Sequence, residues 1–189
     1  MVRDGKAFGG REAAGPERRT VRVIGCGRRF WSDDQVGLLI AEALATLRPP
    51  QTEIETTEAP GAELFDGIRA DDLLIVVDAA QAPDELLPGS LVRIDYRTDP
   101  GNIRKRRRTN THTLSIDAAL ELGLELGILP VDVWIYAVAG EDFSQGSELS
   151  ESVAKCVNDA VGRIRRDIDR WLNRPRPTGL CNRGNAAAE

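Results

Sequence analysis

Histidine and cysteine are the scarcest chemistry in this 189-residue chain: one His, at position 112, and three thiols, Cys26, Cys156 and Cys181. An odd number of cysteines without Cys-x-x-Cys spacing excludes a disulfide framework and a thiolate metal site, so all three read as reduced thiols. Apolar runs are short. The longest, such as 73–77, are far below the ~20 residues that cross a bilayer, and residues 1–10 lack the apolar region of a secretory signal. A soluble, cytoplasmic protein without membrane contact is expected. Gly25-Cys26-Gly27 has no third glycine to complete a dinucleotide fingerprint, there is no phosphate-loop lysine, and no Gly-x-Ser-x-Gly elbow occurs. These absences disfavour a nicotinamide or flavin enzyme, a nucleotide hydrolase and a serine hydrolase.

What is present begins with charge. The net charge of −5 is unevenly spread, because residues 21–172 carry 17 basic and 26 acidic side chains while both ends are basic. Five of those 17 sit together in Arg104-Lys105-Arg106-Arg107-Arg108. An acidic body with one basic loop is a poor nucleic-acid binder, so no nucleic acid is expected as a partner. The run is most simply a solvated loop; its alternative role is to dock an acidic or carboxyl-terminal peptide.

Residues 1–20 and 173–189 lack apolar periodicity and are expected to be mobile tails around one domain, 21–172. Within it, short β-branched runs at 21–27, 52–58, 72–79, 90–96 and 131–139 read as strands. Apolar residues at i, i+3, i+4 place helices at 35–47, 114–126 and 153–172, with a shorter helix at 61–69. Alternating strands and helices build a three-layer α/β sandwich: a mostly parallel five-stranded sheet with helices on both faces. About ten residues separate the third strand from the fourth, too few for a parallel crossover, so the fourth should run antiparallel. A single domain of this size is expected to be a monomer.

In an open parallel sheet, ligands bind beyond the carboxyl ends of the strands. The first strand leads through Arg28 to Ser32 into Asp33-Asp34-Gln35 at the start of a helix; the third ends at Asp78; His112 lies just before another helix. Asp34, Asp78 and His112 together form a mixed oxygen and nitrogen donor set that suits nickel, zinc, manganese or iron better than calcium. Each residue also has a structural reading. Ser32-x-x-Gln35 is a capping box, and Asp33 and Asp34 favour a helix amino terminus. Asp78 fits a hydrogen-bonded turn, and His112 a partly exposed loop position. Ser147, Ser150 and Ser152 read as caps for the last helix. Phe30 and Trp31 either cover the crevice or close the core beneath it.

Taken in order, these segments resemble the hydrogenase maturation proteases, which trim the carboxyl-terminal extension of nickel-iron hydrogenase large subunits. The resemblance spans about residues 21–172. It rests on Gly25-Cys26-Gly27-Arg28, Asp33-Asp34-Gln35-Val36-Gly37, Val76-Val77-Asp78-Ala79, Pro88-Gly89-Ser90, His112 before a leucine-rich helix, and Leu149-Ser150-Glu151-Ser152-Val153. It implies an endopeptidase acting on a nickel-loaded large-subunit precursor, with Asp34, Asp78 and His112 as metal-binding and catalytic residues. The nickel is then supplied by the substrate, and the resting enzyme is expected to be metal-free. Arg28 replaces an asparagine and Gln35 a small residue of the family pattern, which leaves as alternative a non-cleaving, metal-checkpoint chaperone for a large subunit. A third reading is a small-molecule binder in the same crevice, holding a hydroxylated ligand on Asp34 and Asp78.

Overall fold

The computed structural model describes residues 18–81, 86–98 and 116–175. His112, the basic run 104–108 and Cys181 lie outside the described residues. Five strands, β1 (Val21–Cys26), β2 (Thr52–Thr57), β3 (Leu73–Gln81), β4 (Leu91–Asp95) and β5 (Asp132–Gly140), form one sheet in the order β2-β1-β3-β5-β4. Every pairing is parallel except β4 with β5. Among the described residues the helices are α1 (Val36–Thr46), α2 (Ile116–Glu125) and α3 (Glu151–Leu172), and 3₁₀ turns occupy Ser32–Gln35 and Ala62–Phe65. The expected three-layer α/β fold with its single antiparallel strand is therefore observed.

Alternation along the strands divides the core in two. Val21 and Val23 of β1, Ile75 and Val77 of β3, and Trp134 and Tyr136 of β5 face α1 and α3. Ile24, Leu74, Val76, Val133 and Ile135 face α2 and the turn at Leu64 and Phe65. The central strands are apolar on both faces, as a doubly covered parallel sheet requires, and each fully buried aliphatic side chain contributes roughly 1.5–3 kcal/mol. Helix α3 is amphipathic: Val153, Ala160, Val161, Ile164, Ile168 and Trp171 recur at helical spacing and face the sheet. Strand β2 lies at an edge, and its Thr and Glu residues leave only Ile54 to pack on the core. Such a polar edge resists pairing with other chains.

Two sequence expectations need correction. The short helix at 61–69 is a single 3₁₀ turn, Ala62–Phe65, because Asp66 turns extended and Gly67 adopts φ 70°. One turn is enough to bury both Leu64 and Phe65. The third strand does not end at Asp78 but runs to Gln81, since β5 extends beside it as far as Gly140.

Defined contacts also begin before Val21 and continue past Leu172. The buried Asp72 carboxylate accepts hydrogen bonds from the Thr20 amide (2.7 Å), the Thr20 hydroxyl (2.9 Å) and the Arg69 amide (2.9 Å). The Arg19 guanidinium donates to the carbonyls of Trp171, Leu172 and Arg174 and lies 4.6 Å from the Trp171 ring centroid.

Candidate active site

The carboxyl edge of the sheet is shaped by close backbone approach. Gly27, at φ 146°, follows β1, and a β-carbon there would run into the Asp34 carbonyl oxygen. A β-carbon on Gly37 would strike the carbonyl oxygens of both Cys26 and Val77. These two glycines let the 3₁₀ turn carrying Asp33 and Asp34, and the first turn of α1, sit directly on the ends of β1 and β3. Asp78 follows Val77 and is the first residue of β3 past its pairing with β1. Asp34 and Asp78 thus lie at one end of the sheet, on adjoining segments of backbone.

The two adjacent aspartates have opposite surroundings. Asp33 is fully buried, and its carboxylate accepts four hydrogen bonds: from the amides of Glu141 (2.9 Å), Asp142 (3.0 Å) and Ser150 (2.8 Å), and from the Ser150 hydroxyl (2.9 Å). Backbone bonds add to this knot, from Asp33 to the Asp142 carbonyl, from Ser32 to the Gly146 carbonyl and from Gly146 to the Phe30 carbonyl. Gln35 Nε2 donates to the Ser147 carbonyl at 3.0 Å. The first loop and the loop after β5 are therefore fastened into one unit. The capping positions are partly as expected, but the capping bonds are not made. Asp33 and Asp34 lie in the first turn, yet Ser32 opens the 3₁₀ turn instead of capping it and Gln35 donates to Ser147, while Ser150 stands at the amino-terminal cap of α3 with its hydroxyl given to Asp33.

Asp34 is partly open, with 19% of its side chain exposed, and Arg28 Nε donates to its Oδ2 at 2.7 Å. The Arg28 guanidinium stacks over Trp31, 4.1 Å from the ring centroid. Trp31 is thus a platform at the rim, whereas Phe30, 64% exposed, points outward. Asp78 is buried at 8% exposure and, by alternation, falls on the face of Leu74 and Val76, the one covered by α2. His112 precedes Ile116, the first described residue of that helix, by four positions. Among the described residues, no group of three His, Cys, Asp or Glu side chains lies close enough to share an ion. The proposed triad needs His112 to be complete.

Other ionisable groups nearby have settled roles. The Asp142 carboxyl is held below its ordinary value by hydrogen bonds from Ser144, first from its amide at 2.9 Å, and from Ser32. The Cys156 thiol is pushed up by burial and by the negative charges of Asp159 and Asp33, which opposes formation of the thiolate. Sequence reasoning missed Asp33 and Arg28 as partners in this architecture. The one available signal was the Asp33-Asp34 pair itself, because two consecutive acids entering one helix rarely face the same surroundings.

Solved structures share the fold. The structure matches the hydrogenase maturating endopeptidase HybD from Escherichia coli with a TM-score of 0.65 and 20% identity, over 80% of this chain and 93% of that one. An endopeptidase from Escherichia coli solved in solution matches with a TM-score of 0.64 and 22% identity, over 77% and 89%. The [NiFe] hydrogenase maturation protease HycI from Thermococcus kodakarensis matches at 0.58 and 20%, over 84% and 96%. No curated protein matches in sequence. The family model for HycI, hydrogenase maturation protease, matches residues 40–167, a span that contains Asp78 and His112 and opens six residues after Asp34. The chain belongs to the hydrogenase maturation protease family, and is an endopeptidase by class.

Proposed function

We propose that the protein removes the carboxyl-terminal extension of a nickel-iron hydrogenase large-subunit precursor, and that it recognises the precursor through the nickel already inserted there. The observation that carries this reading is the packing of the Asp34 turn onto the ends of β1 and β3, which sets Asp34 beside the segment that continues into Asp78. Two carboxylates there, joined by the His112 imidazole, provide oxygen and nitrogen donors of the kind nickel accepts. In this reading Asp34, Asp78 and His112 hold the substrate's nickel, and Asp34 or Asp78 accepts the proton of the attacking water. A nickel ion in that position would polarise the scissile carbonyl or acidify the water. Because the metal arrives with the precursor, cleavage reports that insertion is finished, and the resting enzyme has no metal of its own. The protein acts as a cytoplasmic monomer.

The test is to incubate the protein with nickel-loaded precursor and follow the precursor's mass. Loss of a short carboxyl-terminal peptide is expected with the wild type and not with Asp34→Asn, Asp78→Asn or His112→Ala. An unchanged mass despite complex formation would overturn proteolysis and leave a metal-checkpoint chaperone. Cleavage of nickel-free precursor at the same rate would overturn recognition through the metal.

A further inference from the structure

The ion pair at Asp34 raises a question about which cations reach the rim. Arg28 Nε holds Asp34 Oδ2 at 2.7 Å, and the guanidinium is braced on the Trp31 ring at 4.1 Å. A charge-assisted hydrogen bond combined with a cation–π contact is stronger than a surface ion pair alone, although 36% of the arginine side chain is exposed and solvent screens part of it. The segment bearing these residues has little freedom to adapt. Phe30 and Ser32 both sit at positive φ, 63° and 36°, a backbone region costly for side chains of this kind. They are held there by the Phe30–Gly146 and Ser32–Gly146 backbone hydrogen bonds. Arg28 can therefore leave Asp34 by turning its own side chain, while Trp31 and Asp34 stay in place.

We propose that Arg28 is a specificity-determining residue: its guanidinium fills the cation-facing side of Asp34, so that free divalent ions are kept out and only a metal presented on a docked protein displaces it. The inference rests on Asp34 as a ligand for the substrate's nickel. A small ion approaching from solvent must break the Arg28–Asp34 pair and then endure repulsion from a guanidinium still tethered beside it. Its gain is confined to the metal–ligand contacts, which a precursor-borne metal makes as well. A docked precursor brings an entire protein interface, and part of its binding free energy is available to drive Arg28 aside. The arginine thus favours a metal delivered in a protein over the same metal in solution. Trp31 supplies the platform that keeps the guanidinium at the rim.

The test uses the full chain and nickel chloride alone, titrated calorimetrically, with far-ultraviolet circular dichroism to check that each variant is folded. Arg28→Gln keeps the length of the side chain and removes its charge. It is expected to bind nickel at least about tenfold more tightly than wild type, a factor equal to ~1.4 kcal/mol. Arg28→Lys, which keeps the charge and loses the Nε donor, should fall between the two. Adding Asp34→Asn to Arg28→Gln should cancel the gain. As a second readout, free nickel should inhibit processing of loaded precursor by Arg28→Gln at concentrations that leave the wild type unaffected. Equal nickel affinity in wild type and Arg28→Gln, with Asp34→Asn weakening both, would overturn the role of Arg28 and leave Asp34 as a ligand. Equal affinity in wild type, Arg28→Gln and the double variant would overturn the ligand assignment itself.

Discussion

The two poles of the sheet handle their carboxylates differently. At the amino pole, Asp72 accepts from Thr20 and from the Arg69 amide, and Asp132 accepts from the Trp171 indole at 2.7 Å. At the carboxyl pole, Asp33 is as fully engaged as Asp72, but its neighbour Asp34 is held by one guanidinium that reaches in from a partly exposed side chain. A buried carboxylate whose oxygens are saturated by backbone amides cannot exchange partners without disturbing the chain around it. One held by a mobile side chain can. The contrast shows two acids adjacent in sequence taking different parts: Asp33 fixes the loops, while Asp34 has a partner that can swing away, as its proposed role at the substrate's metal requires.

The comparison can be broken first at its two saturated acids. Asp33→Ala and Asp72→Ala each strand several buried donors, and each should destabilise the fold by about 3 kcal/mol, lowering Tm by roughly 6–12 °C for a chain of this size. At a temperature where both variants remain folded, only Asp33→Ala should also slow precursor processing, because it alone unfastens the loop that bears Asp34. Equal processing by the two variants would show that the knot has no bearing on the site.

A smaller effect is expected between the poles, where the Tyr136 hydroxyl donates to the buried Asp167 carboxylate at 2.7 Å. Burial, this hydrogen bond and the charge of Asp167 all push the Tyr136 hydroxyl well above its ordinary value. The folded state then keeps a proton that the unfolded state releases, so this contribution to stability is complete below about pH 10, the ordinary tyrosine value, and declines as the pH rises beyond it. Tyr136→Phe should cost about 1 kcal/mol at neutral pH and flatten that alkaline decline in denaturant melts. An unchanged alkaline slope would count against the assignment.

Asp34→Asn should have the smallest effect on stability, within about 0.5 kcal/mol, since its partner among the described residues is a screened and partly exposed arginine. Thermal unfolding measures this, and a loss as large as that of Asp33→Ala would erase the distinction between the two acids.

Much of this architecture was legible in the chain. The run of Leu, Ile and Val at 73–77 and the apolar, aromatic run at 133–138 marked the central strands, and the short link after the third strand required β4 to turn back, as it does on β5. Helix α3 was legible from its apolar stripe, although it begins at Glu151 rather than Val153. Helix α2 was expected from 114, and its described part begins at Ile116. The 61–69 segment was misread because Leu64 and Phe65 suggest helical periodicity, while the stop signals at Asp66 and Gly67 are local conformations that hydrophobic pattern does not encode. For the site, the sequence placed Asp34 and Asp78 at one edge of the sheet, since strand ends are readable. It could not reveal the Asp33 knot, whose donors lie 108 to 117 positions away. Nor could it show that Arg28, six positions from Asp34, turns toward it. Contacts at such separations come from tertiary packing and leave no period in the chain.

Residues 19 and 174 touch through the Arg19 guanidinium, so the domain's first and last turns share a corner beside the start of β1. That corner lies at the opposite end of β1 from the Asp34 turn, which makes it a natural handle for a fluorophore or a surface tether when binding at that turn is measured.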